Sequence, residues 1–175
     1  PEAKAEPKNA YAFAVLGGTM LGIGRFRDAR ALFYSAIRID KSNAYAWYGY
    51  GMLEFYENRI DESLANLEEA VYHDPNEPDY VFALAQVSAR AERYKAAADS
   101  YKRFLSISKD TDDERRVRIR GLINFLTFLG DRQVLYATSG ADRTTVPVVL
   151  AGNRPVVQME VNGRDEPLDF VLDTG

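Results

Sequence analysis

The sequence predicts a mainly α-helical protein, a solenoid of stacked helical hairpins (three repeats and a capping helix), followed by a short β segment. Three observations predict it. The first is an internal period of 34: residues 10–43 align with 44–77, so that Phe13, Trp47 and Val81 share one position, Leu16, Tyr50 and Leu84 another, and Gly17, Gly51 and Ala85 a third. The second is a register of small residues, Ala29, Ser63 and Ala97, then Ala36, Ala70 and Phe104. Two helices pack closely only where one side chain is small. The third is a change of rhythm after residue 140, where helical spacing gives way to strict alternation.

Taken in order, "PEAKAEPKNA" is small, charged and proline-bearing and reads as a linker or trimmed terminus over 1–9. The repeats and their capping helix are expected over 10–130. Turns inside the hairpins are marked by "GIGRF", "YENRI" and "RAERY". Between hairpins, "IDKSN", "HDPNE" and "SKDTDD" offer Asp, Asn and Ser as caps for the next helix. No single repeat buries its own apolar face, so three copies need closure. "DDERRVRIRGLINFLTFLGD" supplies it, with Asp112 or Asp113 as cap, four arginines offered to solvent, and an apolar set of Val117, Leu122, Phe125, Leu126 and Leu129.

The repeat pattern of Trp, Leu-Gly, a small residue, an aromatic, Ala and a late Pro resembles the tetratricopeptide repeat. The middle copy carries it most fully in Trp47, Gly51, Ala70 and Pro75; Phe13 and Val81 replace Trp in the outer copies, and Lys41 and Lys109 replace Pro. The resemblance implies that the first helix of each pair lines a concave groove. Helix "AYAWYGYGMLEFY" has one charge, Glu54, and more aromatics than packing needs. Tyr45, Tyr48, Met52, Phe55 and Tyr56, with Tyr11 and Phe82 in the flanking copies, are the candidate residues for binding a protein or peptide, against the alternative that neighbouring repeats bury them. Some relatives grip a carboxylate tail with Lys and Asn there. Ala14, Tyr48 and Phe82 occupy the first such Lys position, which argues against that clamp.

After a linker over 131–143, "TTVPVVLAG", "RPVVQMEVNG" and "PLDFVLDTG" read as three strands over 144–175, with turns at Gly152-Asn153 and Asn162-Gly163. An apolar strand and hairpin running into Asp-Thr-Gly resembles the start of a retropepsin-like aspartic peptidase domain. The resemblance implies Asp173 as one of two aspartates that share a proton and activate water, Thr174 as a hydrogen bond between lobes, and Gly175 as the tight turn beneath them. A strand-ending turn capped by Asp173 is the structural alternative. With this much of a peptidase lobe, the 175-residue chain alone is expected to be inactive. Val157, Met159, Leu168, Phe170 and Leu172 are expected to need a cover: the remainder of the peptidase as a separate chain or nicked piece, a second copy, or the repeats.

Composition narrows the rest. A net charge of −4 gives no general attraction to nucleic acid or anionic lipid, and no apolar run is long enough to span a bilayer. There is no cysteine, and the single His73 excludes a multi-histidine metal site, so neither metal nor cofactor is expected. The glycines of "GTMLGIGRF" fail the phosphate-loop spacing and read as repeat turns. The expected function is the amino-terminal part of a bacterial-type, repeat-bearing aspartic peptidase, in a periplasmic or secreted setting if a signal peptide preceded it. The competing expectation is a non-enzymatic scaffold whose strands only dock.

Overall fold

The computed structural model describes residues 7–109, 111–130, 140, 143, 145–161 and 166–173. The predicted turn at Asn162-Gly163, most of the predicted linker, and Thr174 and Gly175 lie outside the described residues. The chain divides into two compact units, 1–135 and 136–175.

The first unit is a mainly helical solenoid. Among the described residues it holds α1 (Pro7–Gly22), α2 (Phe26–Ile39), α3 (Ala44–Tyr56), α4 (Ile60–His73), α5 (Pro78–Arg90), α6 (Tyr94–Ile107) and α7 (Asp113–Gly130). Successive helices pack as hairpins, and each hairpin stacks on the next. The expected small positions explain the close approach. A Cβ on Gly17 would stand 2.8 Å from the Phe33 ring, and one on Gly51 would stand 2.8 Å from Leu67 Cγ. Ser63, fully buried, donates its hydroxyl to the Gly51 carbonyl at 2.8 Å, so the small polar residue keeps its hydrogen bond inside the core.

The three hairpin turns are one structure repeated. Gly24, Asn58 and Glu92, each 34 residues apart, all have positive φ, at 77°, 59° and 59°. Behind each, the next amide reaches back across the turn: Arg25 N to Met20 O at 2.8 Å, Arg59 N to Glu54 O at 2.9 Å, Arg93 N to Ser88 O at 2.9 Å. This closes the carbonyls that a helix end leaves unpaired. Between hairpins, Asn43 accepts from Ala46 N at 2.9 Å and Asp112 from Arg115 N at 2.8 Å, as capping residues do. At α5 the cap is Glu77, which accepts from Asp79 N, followed by Pro78 in the first turn.

The last helix departs from expectation. Its buried residues are Ile119, Ile123 and Leu126, at spacings of four and three; of the predicted set Leu126 is buried as expected, whereas Val117, Leu122 and Phe125 are exposed. Nor are all its arginines offered to solvent. Arg116 donates to the Ser108 and Leu105 carbonyls at 2.9 and 3.0 Å, closing the end of α6, and Arg115 lies over the Phe82 and Phe104 rings at 4.9 and 5.4 Å. Those contacts fix the rotation of α7 and bring the Ile119 face inward. The helix covers the last hairpin, as expected of a cap, but keeps a second apolar face outside.

The second unit contains a three-stranded antiparallel meander of β1 (Val148–Ala151), β2 (Arg154–Met159) and β3 (Leu168–Val171), in the order β1-β2-β3. Ala151 pairs with Arg154, so Gly152 and Asn153 form a two-residue turn, both with positive φ. Val148, Val157 and Phe170 form one row across the sheet, and Met159 pairs with Leu168. On the other face Gln158 donates to Asp169 at 3.1 Å.

Candidate functional site

The groove side of the helical unit opens into a cavity of about 470 Å³. Helix α3 presents Tyr45, Tyr48, Gly49, Met52 and Tyr56 to it, and α1 presents Gly18, Leu21 and Gly22. Gly24, Phe26 and Phe33 complete the lining. The residues of α3 recur at spacings of three and four, which keeps them on one face of the helix. Tyr56 stacks on Phe26 with the rings 6.4 Å apart and 11° from parallel. Tyr48 stacks on Tyr80 at 4.8 Å, which ties this wall to the start of α5. Burial pushes the Tyr48 phenol above its ordinary value, and the nearby carboxylates of Asp79 and Glu77 act in the same direction.

The cavity therefore brings together Tyr45, Tyr48, Met52 and Tyr56 of the predicted groove residues. Three others stand elsewhere. Phe55 is half-buried against Leu64, Leu67, Ala83 and Val87. Phe82 meets Tyr101 and Phe104 at 5.5 and 5.0 Å beneath Arg115, inside the packing of α5, α6 and α7. Tyr11 is 63% exposed on α1 and does not line the cavity. Gly18 and Gly22, read from sequence as turn glycines, are helical and form the α1 side of the cavity. A Cβ added at Gly22 would meet nothing within 4 Å. The signal was in the repeat register, where Gly18 and Gly22 take the positions that Met52 and Tyr56 hold in the next copy.

Beside this wall lies a polar cluster built around Glu54, the lone charge of α3, only 4% exposed. Arg30 donates to Glu54 at 2.7 Å and to Glu57 at 2.5 Å, and Arg59 reaches both carboxylates from the following turn. Burial disfavours the charged Arg30, but its hydrogen bonds to Glu54, Glu57 and Tyr50 outweigh that and hold its pKa above the ordinary value. The hydrogen bond to Glu54 likewise raises Arg59. The cluster pins α2, α3 and the turn into α4 to one another, and so fixes the tilt of the helix that carries the aromatic wall.

In the second unit, Asp173 follows β3 by two residues and is exposed. It lines a shallow depression with Asn153, Arg154, Pro155, Val171 and Leu172. Leu172 N donates to Pro155 O at 2.8 Å, which holds the chain against β2 just before the aspartate. Thr174 and Gly175 lie outside the described residues. Among the described residues no group of three or more acidic or histidine side chains could hold a metal ion, and no helix is long and apolar enough to cross a membrane.

Residues 20–87 match the tetratricopeptide repeat family. Anaphase-promoting complex subunit 3 of Schizosaccharomyces pombe (strain 972 / ATCC 24843) is 25% identical over 118 residues, 67% of this chain. The chain spans about 18% of that relative's length. Among solved structures, the first tetratricopeptide repeat domain of Spaghetti (RPAP3) bound to the HSP90 peptide SRMEEVD superposes with a TM-score of 0.62 at 13% identity, covering 70% of this chain and 96% of that one. The Yersinia enterocolitica type III secretion chaperone SycD, in complex with a peptide of the translocator YopD, gives 0.59 at 14% identity, covering 67% and 92%. Residues 20–87 thus match the tetratricopeptide repeat, and the helical unit around them has the fold of these solved repeat domains.

Proposed function

We propose that the helical unit is a protein- or peptide-binding module whose site is the cavity between α1 and α3, and that it positions a partner for a peptidase domain that the strand unit begins. The observation that carries the first part is the cavity itself, about 470 Å³, within the range of pockets that hold ligands. Its aromatic wall is of the composition that interfaces favour. Structural neighbours of the domain hold peptides, SRMEEVD in one and a YopD segment in the other.

The second part rests on the meander leading through Leu172 into Asp173, and on the resemblance of "FVLDTG" to the catalytic loop of retropepsin-like enzymes. In this reading Asp173 supplies one carboxylate of a pair. One member is ionised and takes a proton from water as it attacks a peptide carbonyl; the other is protonated and hydrogen-bonds the carbonyl oxygen. Thr174 holds the two catalytic loops together, and Gly175 allows the turn beneath them. The partner aspartate comes from a second lobe, either a second copy or further chain.

The test is a form extended beyond Gly175 by its natural coding sequence. It is expected to cleave an unstructured protein substrate in acid, with sensitivity to pepstatin, and to lose this in Asp173→Asn. Unchanged behaviour of Asp173→Asn, or an extension without a flap hairpin and a second catalytic loop or dimer, selects the scaffold reading.

A further inference from the structure

The cavity discriminates among peptides by charge as well as by shape. We propose that it takes the bulky apolar side chain of a peptide segment whose neighbouring residue, toward the amino-terminal ends of α3 and α5, is Lys or Arg; this rests on the reading of the repeats as a peptide-binding module.

Shape is the first argument. On the α1 side the Tyr45 hydroxyl covers Gly18, where a Cβ would stand 2.5 Å from it, but Gly22 is bare backbone with open space above it. A partner side chain can therefore lie directly against that helix at Gly22, with the phenol rings of α3 and the phenyl rings of α2 completing the wall. The lining holds no Asp, Glu, Lys, Arg or His, and among its side chains only the hydroxyls of Tyr45, Tyr48 and Tyr56 are polar. A charged group placed there would lose its water without gaining a counter-charge, whereas an apolar one loses nothing.

Charge is the second. The stack of Tyr48 on Tyr80 joins the cavity wall to the first turn of α5. There Asp74, Glu77 and Asp79 cluster: Asp79 and Glu77 act on the Tyr48 phenol, and Glu77 and Asp74 on that of Tyr80. Among the described residues none of the three is held in an ion pair. Arg103 donates to the Pro75 carbonyl at 2.6 Å and brings one positive charge beside these three carboxylates. The dipole of α5 contributes about half a charge more, so three negative charges against about one and a half positive leave the rim negative. Farther along the same helix Arg90 donates to Asn58 at 3.5 Å. The eleven-residue step from Asp79 to Arg90 spans about 16 Å of helix, so Arg90 stands well away from the acidic first turn. An acidic tail set with its charges toward Asp79 is repelled; a basic flank is attracted.

The experiment is fluorescence anisotropy on the 175-residue chain with three end-capped synthetic peptides: a Phe-Leu anchor flanked by Lys, the same anchor flanked by Glu, and the Lys peptide with Ala in place of the anchor. The Lys-flanked peptide is expected to bind about tenfold or more tighter than either of the others, a step of about 1.4 kcal/mol. Gly22→Leu fills the cavity where a side chain meets no obstruction, and is expected to weaken binding about tenfold at an unchanged melting temperature. Asp79→Lys is expected to move the preference toward the Glu-flanked peptide. Equal or tighter binding of the Glu-flanked or anchorless peptide overturns the inference. Panning a random displayed peptide library against the wild type and Gly22→Leu separates the two ways to fail. Enriched acidic or anchorless motifs that Gly22→Leu blocks overturn the apolar-basic preference and leave the module intact. No Gly22-dependent enrichment overturns both.

Discussion

The two units solve the same problem, covering apolar side chains, with unequal success. The helical unit buries large residues such as Phe33, Leu53, Leu64, Leu67 and Val87 completely, in clusters that run from one hairpin into the next. The strand unit buries one of its described residues, Val157 at 5% exposure, while Met159, Phe170 and Leu172 of the same face stay more than a third exposed. A stack of hairpins supplies each apolar face with a neighbour from the same chain. Three strands form one sheet, and a sheet needs a second layer that it cannot make by itself. Stability and the cavity therefore belong to the first unit, while the second leaves most of one apolar face uncovered among its described residues.

The largest effect expected of a substitution sharpens this contrast through charge. Glu54→Ala removes the shared partner of Arg30 and Arg59 and leaves two guanidiniums around Glu57 alone. Breaking such a partly buried network is expected to cost about 2 kcal/mol, below the range of about 3–5 for fully buried pairs because both guanidiniums are about a third exposed. Asp169→Ala, which removes an exposed acceptor from Gln158, is expected to stay within about 0.5 kcal/mol. Urea unfolding followed by circular dichroism reads both. A loss below about 1 kcal/mol for Glu54→Ala would show that the cluster does not hold α3 in place.

Next is hydrogen exchange, which tests dependence on a partner. Amides of β1 and β3 are expected to exchange at least about a hundredfold faster than those of α3 and α5 in a proven monomer, equivalent to about 2.7 kcal/mol less protection. Equal protection, with no peptide co-purifying, would break the comparison.

How much of this was readable beforehand follows from where the register reaches. The period of 34 set the small residues Gly17 and Gly51 opposite Ala29 and Ser63 and lined up the three hairpin turns, because every copy repeats the same contacts; that the Phe33 ring fills the space beside Gly17 came from the structure. Beyond the third copy the register gives no phase, and α7 buries Ile119 and Ile123 beside the expected Leu126, leaving Val117, Leu122 and Phe125 outside. Half of the cavity was legible as an aromatic surplus on α3. The other half is made by side chains that are missing, at Gly18 and Gly22, and an absence reads as a turn until the fold shows it to be a wall. Glu54 was visible as a lone charge in an apolar helix, but its partners lie 24 residues before it and five after, and only packing brings them together.

A third prediction turns on pH. Burial raises the phenols of Tyr48, Tyr80 and Tyr101 above their ordinary value, and the carboxylates near the first two add to it. The unfolded chain releases these protons near pH 10, while the folded chain keeps them to higher pH. Above about pH 10 the unfolded state binds fewer protons than the native one, so this contribution to stability, fully present below that pH, is lost as pH rises. Tyrosinate absorbance is expected to show three phenols that ionise late and together with loss of helix. Smooth titration of all eleven tyrosines as one class would contradict it.

The smallest effect tests the repeated turn. Glu92 stands at φ 59° where its counterparts are Asn58 and Gly24. A left-handed backbone crowds the Cβ of any L residue, and among residues with a side chain Asn tolerates it best because its short amide can bond the local backbone. Glu92→Asn keeps a Cβ, so it does not carry the unfolded-state entropy that a glycine would add. It is expected to stabilise the helical unit by about 0.5 kcal/mol, measured as an increase in the urea midpoint at constant slope. The reciprocal change, Asn58→Glu, is expected to cost about the same. If the two substitutions fail to move in opposite directions, the turns do not share one energetic origin, and their common geometry is imposed by hairpin packing rather than by the residue that occupies the bend.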